Sequence, residues 1–200
     1  MKLFFDTEFT GLHKNTTLIS VGIVAEDGRK FYAVLNDFDR TQCTQWIKKN
    51  VLKGVVEDLL CIPVSLIEDI GEDGKYRDFW IVSGNKRLVS IHLNRWLNWI
   101  GGYDSIQFVS DVCHYDFALL IDLITNGGTA LDLPGNISPV CHDMNQDIAR
   151  FYKVTDAEAF DMSREEIMSY VCGQDYIVTG DKHDAMYDAE VMRAIWREVS

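Results

Sequence analysis

Asp6 and Glu8 stand one residue apart, where the apolar residues 1–5 (MKLFF, interrupted by Lys2) run into Phe9-Thr10-Gly11-Leu12. The apolar run reads as a short buried strand. Side chains alternate along a strand, so both carboxylates point to one face. Two carboxylates at the end of a core strand repel each other and are costly to desolvate, and a divalent cation with oxygen ligands is the usual compensation. The competing reading is a turn, with Asp6 and Gly11 bending the chain and Glu8 in water. Two later stretches bear on that choice. Asp116 falls in the first turn of a helix that follows a strand, among residues that otherwise want burial (YDFALL). Alone, it is an acid favoured by the helix macrodipole. Asp188 lies between Ala185 and Ala189 in the last helix, where small residues imply close packing, and His183 precedes that helix after a glycine-containing loop. Alone, these two read as surface charge at a helix start.

The elements that must position these groups follow from periodicity. Residues 17–26 (TLISVGIVAE) are β-branched and apolar, Asp27-Gly28 is a hairpin signal, and residues 31–35 resume an apolar strand. Three strands joined by short turns thus open the fold as an antiparallel meander. Residues 40–60 turn helical, with Trp46, Ile47, Val51, Leu52, Val55 and Val56 at three- and four-residue spacings and Gly54 dividing the run. Residues 61–84 carry turn chemistry around scattered apolar side chains and read as an insertion or a flap. Residues 86–100 form an amphipathic helix in which Leu88, Val89, Ile91, His92, Trp96, Leu97 and Trp99 crowd one side and Gly101-Gly102 ends the helix. The tryptophans there read as core, and His92 as a packed helix residue. Residues 105–109 are a strand and 115–125 a helix; Val140 and Cys141 are a further short strand, and Asp143 caps the next helix. Ser163-Arg164-Glu165-Glu166 opens a helix to about residue 171, and the last helix runs from 184 or 185 to 198. A meander followed by β-α alternation indicates an α/β mixed sheet flanked by helices.

Two hundred residues, 47% of them hydrophobic, suit one domain, residues 1–200, with a sizeable core. The start MKLFFDTEF lacks the features of a secretory signal, no run of about 18 apolar residues provides a membrane span, and five cysteines without a C-x-x-C pair read as reduced thiols. A cytoplasmic protein without a membrane partner is the expectation. The net charge of −12 argues against holding nucleic acid on a broad basic surface, but leaves room for contact with a few nucleotides through bound metal ions.

Taken together, Asp6-Thr7-Glu8, Tyr115-Asp116 and His183…Asp188 resemble the D-x-E, aromatic-Asp and H-x4-D motifs of the DEDDh (DnaQ-like) 3′–5′ exonucleases, whose fold is RNase H-like. FFDTEFTGL, LISVGIVAEDGRKFYAV, the YDFALL helix start and the HDAMYDAEVMR ending are similar to the small stand-alone 3′–5′ exoribonucleases of bacteria and phages. Ser110-Asp111 departs from that pattern, standing where many relatives carry an asparagine. The resemblance implies two divalent cations, Mg²⁺ or Mn²⁺, held by Asp6, Glu8, Asp116 and Asp188, with His183 as general base. It also implies that the backbone around Phe9 and Thr10 holds a 3′-hydroxyl and that Leu12 packs on the last base. The implied partner is single-stranded or 3′-overhanging nucleic acid, RNA before DNA. A DNA exonuclease of repair or phage replication is the alternative, and a non-catalytic interaction protein on the same fold a more distant one. Relatives are often dimers, so a homodimer is a further expectation. His114 and His142 are left outside the site.

Overall fold

A computed structural model describes residues 1–61, 65–67, 78–102 and 105–200. Among these residues seven strands form one mixed sheet: β1 Lys2–Phe9, β2 Leu18–Ala25, β3 Lys30–Leu35, β4 Ser65–Ile67, β5 Phe79–Gly84, β6 Gln107–Ser110 and β7 His142–Asp143, in the order β4-β5-β3-β2-β1-β6-β7. The expected meander is present, with β1 and β3 each antiparallel to β2. β6 lies parallel to β1, β7 parallel to β6, and β5 parallel to β3. The helices are α1 Gln45–Asn50, α2 Val55–Leu60, α3 Lys86–Gly101, α4 Cys113–Ile124, α5 Asn145–Tyr152, α6 Asp156–Asp161, α7 Arg164–Cys172 and α8 Ala185–Val199.

Every residue of β2 is buried because helices cover both faces of the sheet. Leu3, Phe5, Val21, Ile23, Phe31 and Ala33 pack with α3 and α4 on one face. On the other face, Phe4 joins α5, α7 and α8, while Ile19, Val24 and Tyr32 join α1, α2 and the start of α8. Trp96 is fully buried, and Trp99 stacks on Trp80 with ring centroids 5.8 Å apart, so this helix face is core.

Several sequence expectations are corrected. β1 does not stop at Phe5 but continues through both acids to Phe9, because Asp6, Thr7 and Glu8 pair with Gly22, Val21 and Ser20. Phe79–Gly84, within the segment read only as turn chemistry, is a sheet strand in full register with β3. Its short apolar run was masked by turn residues on either side. The remaining turn signals at 68–69 and 71–74 lie outside the described residues. The strand expected at Val140 and Cys141 forms instead at His142–Asp143, since the Ser138 hydroxyl ties up both the N–H and the carbonyl of Val140. Asp143 is therefore in a strand, and Met144 occupies the cap position of α5; the Asp143 carboxylate still accepts the Asn145 N–H at 2.9 Å. α4 starts at Cys113, two residues earlier than its apolar pattern.

One glycine decides how closely the last helix approaches the sheet. Gly22 pairs with Asp6 in register, and a Cβ at Gly22 would lie 2.3 Å from the Ala185 carbonyl oxygen. With Ala185 and Ala189 both buried, α8 rests almost backbone to backbone on β2 beside the first acid. Gly22→Ala should push α8 away, costing about 1–3 kcal/mol in urea unfolding. It should also weaken Mn²⁺ binding in calorimetry, because Asp188 rides on the displaced helix.

Candidate active site

The end of β1, the N-terminus of α4 and the N-terminus of α8 converge on a cleft of about 1000 Å³. Asp6, Glu8, Asp116, His183 and Asp188 all line it, as do Phe9 and Leu12. Asp6 and Glu8 share the strand face that carries Phe4, looking toward α8. Asp116 reaches the group from the opposite side of β1. It is 2% exposed, and its two oxygens accept hydrogen bonds from the Thr7 hydroxyl at 2.5 Å and the Ser110 hydroxyl at 3.4 Å. Thr7, between the two β1 acids, thus faces the other way and holds the third.

His183 precedes α8 with a left-handed backbone (φ 66°), a conformation costing a non-glycine residue about 1 kcal/mol. That turn aims the His183 N–H at Asp188 Oδ2, 3.0 Å away, and sets the imidazole edge-on to the Trp46 indole at 4.8 Å. Asp184 caps α8, accepting the Met186 and Tyr187 N–H groups, and the Tyr32 hydroxyl donates to its other oxygen at 3.2 Å. The helix start is therefore anchored to β3, and Asp188 sits one turn in. Donor atoms of Glu8, His183 and Asp188 all lie within 4.8 Å of one another.

Burial, reinforced by neighbouring negative charge, opposes the ionisation of all four acids. Burial, followed by the charges of Asp116, Asp188 and Glu8, holds Asp6 well above the carboxylate range. Burial and then Asp188 and Asp116 push Glu8 up to about 9. Asp116 is pushed up to about 7 by burial, against the pull of the Thr7 hydroxyl, and Asp188 to about 7 by burial, against the His183 N–H. His183 moves the other way: burial, with Lys182 and Lys53, keeps its imidazole below the usual histidine value and hence neutral at pH 7. An all-oxygen carboxylate set that resists ionisation fits hard divalent cations, which would hold these acids in their charged form.

Thr10 is the predicted site residue that the structure does not bring into the cleft. Its hydroxyl is buried against Gln42 Oε1 at 2.5 Å, and its N–H is already donated to the Thr17 carbonyl at 3.0 Å. The tip of the first motif thus uses Thr10 to fold its own loop, leaving the exposed Leu12 and the Phe9 ring at the cleft. Phe9 stacks on Tyr115 at 5.6 Å and 10°, which gives the aromatic residue before Asp116 a positioning role.

Trp46, Asp111, Phe160, Arg164 and Lys182 also line the cleft and were not anticipated as site residues. Trp46 reads as one more apolar residue of a helix, yet it is 53% exposed. The signal was its neighbour: successive helix residues point about 100° apart, so a six-residue helix that buries Ile47 turns Trp46 outward. No local sequence pattern marks Arg164, because its partners Asp111 and Asn145 are distant in the chain. His114 is exposed beside Tyr115, and His142 pairs with Asp147; neither lines the cleft.

No protein-family model matches the chain. A 52-residue stretch is 46% identical to 3′-5′ exoribonucleases from two strains of Mycobacterium tuberculosis (CDC 1551 / Oshkosh and ATCC 25618 / H37Rv), covering 26% of this chain and 31% of each relative. The match therefore spans about a third of those relatives. Across 98% of the chain, the fold is similar to that of a full-length 3′-exonuclease (TM-score 0.58, 10% identity, 79% of that chain). It is equally similar to a 3′-exonuclease solved in 3′-end specific recognition of a histone mRNA stem-loop (TM-score 0.58, 13% identity, 61% of that chain). The α/β mixed sheet flanked by helices is the fold of these 3′-exonucleases.

The electrostatics set a pH dependence. Asp6, Glu8, Asp116 and Asp188 have folded-state values raised above the unfolded carboxylate range, so their protonated forms favour the folded state. That contribution is present below about pH 4 and is lost as pH rises through about 7 and 9. Metal-free protein should lose roughly 5 °C or more in Tm between pH 5 and 9 by scanning calorimetry, and Mn²⁺ should restore it at pH 8 far more than at pH 5.5. Asp116→Asn should raise the metal-free Tm at pH 8 while weakening the response to Mn²⁺. A flat metal-free profile would show that burial and neighbouring charge do not hold these acids above the usual carboxylate range.

Proposed function

We propose that the chain is a metal-dependent 3′–5′ exonuclease that hydrolyses the 3′-terminal phosphodiester of RNA and releases nucleoside 5′-monophosphates. The convergence of four acids and one neutral histidine, drawn from β1, α4 and the start of α8, carries this reading. Asp6, Glu8, Asp116 and Asp188 are the residues that would hold two Mg²⁺ or Mn²⁺ ions. Bound there, such ions supply Lewis-acid stabilisation of developing negative charge and a more acidic water at neutral pH.

The remaining steps belong to the chain's own side chains. His183, neutral at pH 7 and held through its N–H to Asp188, takes the proton of the attacking water. The Trp46 indole packed against it limits the swing of that ring. Leu12 and the Phe9 ring give the terminal base an apolar seat, and Trp46 borders the same cleft. Anchoring by metal ions and a few apolar contacts suits a protein with a net charge of −12, which lacks the excess of cations for a long phosphate track.

RNA is placed before DNA because the relatives that share the 52-residue stretch are named exoribonucleases. Matched 5′-labelled RNA and DNA oligonucleotides, incubated with Mg²⁺, Mn²⁺ or EDTA and resolved on a gel over time, test both polymers at once. The expected result is a metal-dependent ladder shortening from the 3′ end, faster on RNA and absent in Asp6→Ala. His183→Ala should slow cleavage by about 10²-fold or more at saturating metal, with Mn²⁺ affinity less affected than in Asp116→Asn. Wild-type rates in His183→Ala from pH 6 to 9 would remove the histidine from the mechanism; faster DNA cleavage would favour the repair or replication alternative.

A further inference from the structure

Asp111 is a fifth carboxylate on the cleft, at the position where the sequence departs from the resembling family. It follows the last residue of β6, five residues before Asp116. Its charge is near enough to oppose the ionisation of Asp6, Asp116 and Asp188. Left unpaired, a fifth acid would either compete for a metal ion or leave surplus negative charge where a phosphate must enter.

It is not unpaired. Arg164, the first residue of α7, places Nε 2.7 Å from Asp111 Oδ2, and the two side chains are only 13% and 18% exposed. The rest of the guanidinium is spent on neutral oxygens: Nη1 donates to the carbonyls of Ala159 at 3.0 Å and Met162 at 2.9 Å, and Nη2 to Asn145 Oδ1 at 2.5 Å. Asn145 closes the circuit, its Nδ2 donating to the Asp111 carbonyl at 2.7 Å. Among these partners Asp111 is the charged one, so the positive charge of Arg164 is committed to it. Lys182, the other cation at this wall, pairs at 3.2 Å with Glu165 and stays more exposed.

We infer that Arg164 is a positioning residue that withdraws Asp111 from the metal-binding acids, fixing the ligand set at Asp6, Glu8, Asp116 and Asp188. The same guanidinium holds the α6–α7 connection in place as the opposite wall of the cleft. Its fork geometry meets the Asp111 carboxylate and the connecting carbonyls together. The inference rests on the proposed metal-dependent exonuclease in assigning the four ligands, but the pairing itself makes predictions about metal binding alone.

The test is a double-mutant cycle with Arg164→Met, Asp111→Asn and the double variant, each titrated with Mn²⁺ by calorimetry and assayed for KM and kcat on an RNA oligonucleotide. Arg164→Met unmasks Asp111 and should bind Mn²⁺ about tenfold more tightly or with an added equivalent, while KM rises about tenfold and kcat falls less. Asp111→Asn leaves Arg164 uncompensated and should shift Mn²⁺ affinity in the opposite direction, weakening it several-fold. The double variant should return toward wild type. A brace without an electrostatic role would move both single variants in the same direction, with no recovery in the double, and would overturn the inference. An Asp111 that itself ligates metal would leave the double variant as weak as Asp111→Asn, which also overturns it. Should Arg164→Met not fold, the near-isosteric Asp111→Asn and the charge-retaining Arg164→Lys carry the test. Arg164→Lys is expected to keep wild-type Mn²⁺ affinity, and tighter binding in that variant counts against the inference. If the wild-type protein shortens neither RNA nor DNA, the exonuclease reading fails, while the Mn²⁺ titrations still decide the role of Arg164.

Discussion

The burial of several carboxylates around the end of β1 is the constraint on which the rest of this structure depends. Asp6, Glu8, Asp116 and Asp188 line one cleft although burial makes the ionisation of each more costly, and the charges of Asp116 and Asp188 add to that cost at Asp6 and Glu8. Rigid elements impose this closeness: a strand locked between two neighbours, a helix start tied to that strand through Thr7, and a second helix start anchored through Asp184 to Tyr32. The free energy comes from the two apolar layers behind the acids, where β1 and β2 are buried on both faces. Stability is thus spent on a site that divalent cations would relieve.

The close approach of α8 to the sheet shows how backbone detail sets site geometry. Gly22 removes the side chain that would separate Ala185 from β2, and the pairing of Gly22 with Asp6 brings that contact beside the first acid. The left-handed turn at His183 then returns the chain so that one residue offers an N–H to Asp188 and a ring to the cleft. The same loop joins the wall through the Lys182–Glu165 ion pair. The Asp188 carboxylate, the His183 imidazole and the cleft wall are therefore coupled through one short stretch before the last helix.

Charge at the cleft is divided between two kinds of acid. Asp116 and Asp188 are held by hydroxyl or N–H donors rather than by cations, whereas Asp111 and Glu165 are each matched to a basic side chain. For the proposed exonuclease this division would reconcile an acidic chain with an anionic substrate, because the charges of Asp111 and Glu165 are neutralised locally. The apolar rim of Phe9, Leu12 and Trp46 then provides contact that does not depend on net charge.

The acids and the histidine were legible in the sequence because each sits at a recognisable junction: alternation puts Asp6 and Glu8 on one face, and helix starts mark Asp116 and Asp188. The meander and the long helices were legible for the same reason, since period and turn chemistry are local. The extension of β1 through its acids, the strand Phe79–Gly84 and the shift of β7 to His142 were not, because strand limits depend on pairing partners elsewhere. The site's walls follow the same rule. Thr10 turned inward to Gln42, Trp46 turned outward to His183, and Arg164 met Asp111 across 53 residues. Local patterns determined which candidate groups this sequence places at strand ends and helix starts; the packing of distant segments decided which of them share a cleft, since burial and charge pairing are properties of contacts that no single stretch contains.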